Sequence, residues 1–105
     1  MDEIREIAEK IWAHLKRCYG SKIQQVILYG SHARGEATSE SDVDLLVVVD
    51  DSLDPWEVRR GLDEVLLSIL LEKGRLVSVI VVPKSFYEGY SSPFLIQVRQ
   101  EGILL

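Results

Sequence analysis

The chain has 105 residues, 47% hydrophobic and 28% charged, one domain's worth of ordinary globular composition, which excludes disordered, collagen-like and low-complexity classes. Seventeen acids against twelve bases give a formal charge of −5 with no basic run of five, which argues against a protein that grips nucleic acid by its phosphates. The longest apolar stretch is Leu45–Val49, the N-terminus MDEIREIAEK is acidic, and the single cysteine is Cys18. These features predict a cytoplasmic protein without a membrane span, a secretory signal or an internal disulfide, in which Cys18 is a small buried apolar side chain.

Ile4, Ile7, Ala8, Ile11, Leu15 and Cys18 recur at helical spacing and predict an amphipathic helix over residues 3–18, with Asp2 as its N-cap and Trp12 at the edge of the stripe. Gly20 and Ser21 break it. Ile23–Tyr29, rich in β-branched and aromatic residues, reads as a strand, and Val43–Val49 as a second. Asp54-Pro55-Trp56-Glu57 combines an acidic cap, proline at the first helical position and glutamate three residues after the cap, so a long helix starts there. Val58, Leu62, Val65, Leu66, Ile69 and Leu70 supply its buried face, and Gly74 closes it. A third strand runs from about Leu76 to Val82. After a turn region, Ser92-Pro93 opens a short last helix closed by Gly102, and Ile103–Leu105 adds a terminal edge strand.

The pattern is a single α/β (α+β) domain with three to four helices on a small mixed or parallel sheet. Leu45–Val49 is apolar at every position and Val77–Val82 nearly so. Such strands have both faces covered, more than a few helices supply, so a partner or a homodimer is expected.

Chemistry concentrates between the first two strands, in Gly30-Ser31-His32-Ala33-Arg34-Gly35-Glu36 through Ser41-Asp42-Val43-Asp44. Gly30 and Gly35 have P-loop spacing, but Glu36-Ala37 stands where Lys-Ser/Thr is required, and no glycine follows two residues after Gly30; both familiar phosphate loops are excluded. Gly30, without a Cβ, lets the backbone approach a bulky anion, and Ser31 adds a hydroxyl. Asp42 and Asp44 alternate onto one side at the entrance of a strand. Carboxylates so close repel unless a cation lies between them, and oxygen ligands beside a phosphate-binding turn suit Mg²⁺. An anion cradle next to a metal-binding pair is the apparatus of phosphoryl or nucleotidyl transfer. Arg34 contacts a phosphate or pairs with Asp42 or Asp44, Ser41 caps the turn and orients Asp42, and His32 is a surface residue. Tyr87 and Tyr90 pack on the surface, and Arg59-Arg60 lies on a solvated face.

G-S-x-A-R-G followed by S-D-x-D-L resembles the signature of the minimal nucleotidyltransferases in the DNA polymerase β-like superfamily. The likeness spans the chain, including the closing Gln100-Glu101-Gly102-Ile103-Leu104. It implies a palm-like nucleotidyltransferase fold, Gly30, Ser31, Arg34 and Ser41 at the nucleotide, usually ATP, and Asp42 and Asp44 on Mg²⁺. It further implies transfer of AMP to a hydroxyl with release of pyrophosphate. Many minimal members resemble antitoxins whose partner is a helical HEPN-domain protein, and some adenylylate a tyrosine on it. One departure matters. The family carries a third carboxylate on the strand after the long helix, and Arg75–Val82 contains no acid; Ser78 stands in its place, with Glu72 and Glu88 the nearest acids in sequence. The expectation is therefore an adenylyltransferase or, alternatively, a weak or inactive nucleotidyltransferase-fold module that neutralises its partner by binding. Transfer to a small hydroxylated molecule is a third reading, for which the chain has little surface.

Overall fold

The computed structural model describes residues 2–105; the side chain of Asp2, the expected N-cap, lies outside the described residues. Six α-helices, one 3-10 turn (Gly20–Lys22) and four strands are found among the described residues: α1 (Asp2–Tyr19), β1 (Ile23–Tyr29), α2 (Ser31–Arg34), β2 (Val43–Val49), α3 (Pro55–Arg60), α4 (Asp63–Lys73), β3 (Val77–Pro83), α5 (Lys84–Gly89), α6 (Pro93–Glu101) and β4 (Ile103–Leu104). The sheet has the order β3-β2-β1-β4. It is mixed, because β2 runs antiparallel to β1 and parallel to β3. No helix among the described residues is long and apolar enough to cross a membrane.

Alternation along the strands sorts the core into two clusters. Val43, Leu45, Val47 and Val49 point to one face, where they meet Ile7, Ile11 and Leu15 of α1, Val58 of α3 and Ile69 of α4. Leu46 and Val48 point to the other, with Ile27 and Val82, beneath Leu95 and Val98 of α6. β2 is accordingly buried on both faces, as its composition predicts. β3 is not: it is the sheet's edge, its burial alternates, and Ser78 and Ile80 are exposed on the α6 side. The expectation of a strand covered on both faces holds for β2 and fails for β3, because α6 packs over β1 and β2 and stops short.

Asp54 accepts the Trp56 N–H at 2.9 Å, so the expected N-cap forms, and Ser92 Oγ caps the last helix by accepting the Leu95 N–H at 3.2 Å. The expected long helix is instead two helices, broken at Gly61-Leu62. There the Gly61 carbonyl accepts a hydrogen bond from His14 Nε2 at 3.1 Å, and a Cβ on Gly61 would touch the Tyr19 hydroxyl oxygen at 3.5 Å. α1 therefore packs closely against the break. Leu70, expected in the core, is 39% exposed on α4, whose buried residue is Ile69. Cys18 is exposed as well, with its Sγ 3.8 Å from His14 Nε2; it falls one step past the buried stripe that ends at Leu15. The expected turn region before the last helix contains α5, whose Ser85 N–H is capped by Asp51 Oδ1 at 3.0 Å.

Candidate active site

Gly30 ends β1 and caps α2 with φ +80°, a conformation open to glycine and strained for other residues. The next strand makes the same demand. A Cβ on Gly30 would collide with Asp44 Oδ2 and lie 3.3 Å from Asp44 Cγ. The bend and the carboxylate are packed face to face, which explains why this position carries no side chain. α2 is a single turn, with the Arg34 N–H bonded to the Gly30 carbonyl at 3.1 Å, and Gly35 (φ +75°) ends it in the left-handed region.

Asp44 pairs across the sheet with Tyr29 on β1 and with Ser78 on β3, so Tyr29, Asp44 and Ser78 form one row at the same end of the sheet as Gly30. Asp42, exposed, precedes the strand by one residue; Asp44 is half-buried. The Asp44 pKa is raised, first by burial and then by the negative charge of Asp42, with His32 and Arg34 pulling it back. Tyr29 is pushed up to about 12 by burial and by Asp44, so its hydroxyl stays protonated. A partly desolvated carboxylate opposed by a second one is a place where a cation relieves repulsion.

The donor set suits a hard divalent cation: the Asp44 carboxylate lies against a bend whose space only a glycine leaves open, and the charge of Asp42 acts on it. It does not furnish a third acid. Ser78 is in direct register with Asp44, and the described residues contain no cluster of three or more potential ligands. Glu72 and Glu88 do not fill the gap. Glu72 is bound by Ser68 at 3.1 Å and Lys10 at 3.5 Å on the α1–α4 surface. Glu88 is exposed in α5, which leaves the opposite end of β3.

Arg34 pairs neither with Asp42 nor with Asp44. Its Nε reaches Glu36 at 2.6 Å and its Nη1 reaches Glu101 at 3.1 Å. Ser41 Oγ accepts the Thr38 N–H at 2.9 Å, closing the 38–41 turn ahead of Asp42. His32, expected as a surface residue, is half-buried and its Nε2 lies 3.3 Å from the Ser41 carbonyl, tying α2 to that turn. The residue that sequence reasoning passed over is Glu101. Its carboxylate accepts the Gly30 N–H at 3.2 Å, and the Arg34 guanidinium holds its pKa below the usual carboxylate range. The signal was present in the closing Gln100–Leu104 segment, but nothing in linear spacing connects position 101 to position 30. Of the tyrosines, Tyr87 packs half-buried with the Arg99 guanidinium 4.8 Å from its ring, and Tyr90 stacks on Phe86 at 4.9 Å. Arg59 forms an exposed i,i+4 pair with Asp63 at 2.8 Å.

Residues 2–104 match the nucleotidyltransferase domain family. A Methanocaldococcus jannaschii protein, assigned by inference as a protein adenylyltransferase, is 34% identical over all of this chain and 99% of its own length. A solved structure of a protein classed as a minimal nucleotidyltransferase is 25% identical, superposes with a TM-score of 0.60, and is matched over 97% of this chain and 95% of its own. The fold is also that of a chain in the complex of a tri-AMPylated Shewanella oneidensis HEPN toxin with an MNT antitoxin, at TM-score 0.58 and 20% identity over 96% of this chain and 70% of that one. The Gly-Ser bend, the acid pair at the start of the neighbouring strand and the full-length match agree: the chain belongs to the nucleotidyltransferase domain family, with its likeness among the minimal nucleotidyltransferases.

Proposed function

We propose that the protein is a Mg²⁺-dependent adenylyltransferase that passes AMP from ATP to a hydroxyl, a tyrosine on a HEPN-type partner. The observation that carries the reading is the close approach of Gly30 to Asp44 at the sheet's end, which sets the bend that leads into Ser31 beside a carboxylate on which the charge of Asp42 acts. The chain's likeness over its whole length to a relative assigned as a protein adenylyltransferase supports the group transferred, and the fold shared with a chain of the complex between an AMPylated HEPN toxin and an MNT antitoxin supports the partner.

Asp42 and Asp44 would hold the magnesium, which when bound neutralises the phosphate charge and makes the α-phosphorus a better electrophile. Gly30 and Ser31 bind and orient the triphosphate; Asp44, raised by burial and by Asp42, gains most from the incoming positive charge. Ser41 fixes the turn from which Asp42 projects. Catalysis is then largely positioning: the acceptor oxygen forms a bond to the α-phosphorus, the bond from that phosphorus to the bridging oxygen breaks, and pyrophosphate leaves with the electron pair. The acceptor's proton passes to solvent or to a neighbouring carboxylate.

Incubating the protein with Mg²⁺, ATP and a HEPN-type partner, followed by intact-mass measurement of both chains, tests the claim. An AMP adduct on the partner with the parent, absent with Asp42→Asn, is expected; no adduct with either defeats it.

Ser78 in register with Asp44 favours one second reading, a module that keeps the fold and binds its partner without transfer. Calorimetry separates the two: tight partner binding without nucleotide or metal, together with no adduct, belongs to the binding module.

A further inference from the structure

We propose that Glu101 is a positioning residue that clamps both ends of α2, and that Arg34 acts through this clamp rather than as a phosphate ligand. The purpose assigned to the clamp, holding the bend for ATP, rests on the function proposed above; the clamp itself does not.

A one-turn helix has almost no stability of its own, since nucleation fixes several residues for a single hydrogen bond. α2 has only a few backbone bonds, from the Arg34 N–H to the Gly30 carbonyl at 3.1 Å and from the Gly35 and Glu36 N–H groups to the Ser31 carbonyl. Glu101 adds a side-chain tie at each end. Oε1 accepts the Gly30 N–H at 3.2 Å, where α2 begins, and Oε1 and Oε2 accept from Arg34 Nη1 at 3.3 and 3.1 Å, where it ends. One carboxylate thus bridges the first and last residues of the bend. Its side chain is 14% exposed, whereas Glu36, the other partner of Arg34, is 67% exposed; charge-assisted bonds sheltered from water are the stronger ones.

Glu101 is itself held on both sides. Three residues before it, Val98 is buried under the sheet. Immediately after it, Gly102 lies so close to β1 that a Cβ would sit 2.6 Å from Ile27 Cγ2. Ile103 and Leu104 then pair with Leu28 and Ile27. The α6–β4 arm delivers a carboxylate to a fixed point behind the bend. A bare anion there would oppose a triphosphate, and Arg34 cancels it. That accounts for an arginine inside the motif that faces two glutamates instead of the acid pair.

The experiment follows Gly30 amide exchange by NMR and Mg-ATP affinity by calorimetry in the parent, Glu101→Ala, Glu101→Gln, Arg34→Gln and Glu101→Ala/Arg34→Gln. Glu101→Ala is expected to speed Gly30 exchange and to weaken Mg-ATP about tenfold, Glu101→Gln about threefold, since the amide keeps an acceptor but loses the charge. Adding Arg34→Gln to Glu101→Ala should cost less than about twofold more, because coupled partners are not additive. Should Glu101→Ala not fold, Glu101→Gln carries both measurements. Unchanged Gly30 exchange overturns the clamp whether or not ATP binds. Unchanged or tighter Mg-ATP binding overturns its purpose, and a full additional loss from Arg34→Gln returns that residue to the phosphates. A parent that binds no Mg-ATP counts against the proposed function, while the exchange result still decides the clamp.

Discussion

On one face of the sheet Val43, Leu45, Val47 and Val49 are sealed under α1, α3 and α4; on the other, Asp44, Leu46 and Val48 run beneath α6, and the strip over Ser78 and Ile80 stays open. The sealed face holds the larger cluster, built of buried aliphatic residues. The open face has the smaller cluster and, at its end, the row Tyr29, Asp44 and Ser78. Partial cover is what a site requires: enough burial to raise the Asp44 pKa, enough access for a substrate. Stability comes mainly from one side and chemistry sits on the other.

Substitutions can break this division. Leu45→Ala on the sealed face, at a fully buried position, should cost about 3–4 kcal/mol in urea denaturation, near the limit of what so small a domain survives. A loss below about 1 kcal/mol would contradict the sealed packing. Gly30→Ala should cost about 2 kcal/mol, from the positive φ and the collision with Asp44, and should abolish Mg-ATP binding, read by the same calorimetry.

Asp44→Asn should move the two properties in opposite directions. With a folded pKa above the unfolded value, Asp44 binds its proton more tightly in the native state. Its stabilising contribution is present below about pH 4 and is lost as pH rises through the raised value. Removing the charge should therefore leave Tm at neutral pH unchanged or higher by a few degrees while Mg-ATP binding disappears. The difference between the parent and variant stability curves should grow from pH 3 to pH 7; a parent that loses nothing relative to the variant over that range would refute the burial argument. The smallest effect belongs to Ile80→Ala, 38% exposed on the open strip, at about 1 kcal/mol or less. A cost comparable to Leu45→Ala would mean that the strip is covered in solution.

The strands β1 and β2 were legible to the residue because their boundaries are chemical: Gly30 and Asp50 end runs of β-branched and apolar side chains. The caps at Asp54 and Ser92 were equally local. The break at Gly61 was not, since it is made by His14 and Tyr19 reaching from α1. α5 escaped for a related reason: six residues provide no periodic stripe, and its cap, Asp51, lies in another loop. In the site, the bend and the acid pair could be read from spacing within one segment. The partner of Arg34 could not, because Glu101 is 67 positions away and only the return of the chain along β1 brings it there.

Asp44 shares β2 with five consecutive buried residues, Leu45 to Val49. Side chains alternate, so a slip of the strand by a single position would drive Asp44 into the apolar interior and present Val43 to the solvent side. No sloppy intermediate alignment is available between these two. The slipped strand would bury a carboxylate without a partner, so the alignment that seals the interior is also the one that displays the acids.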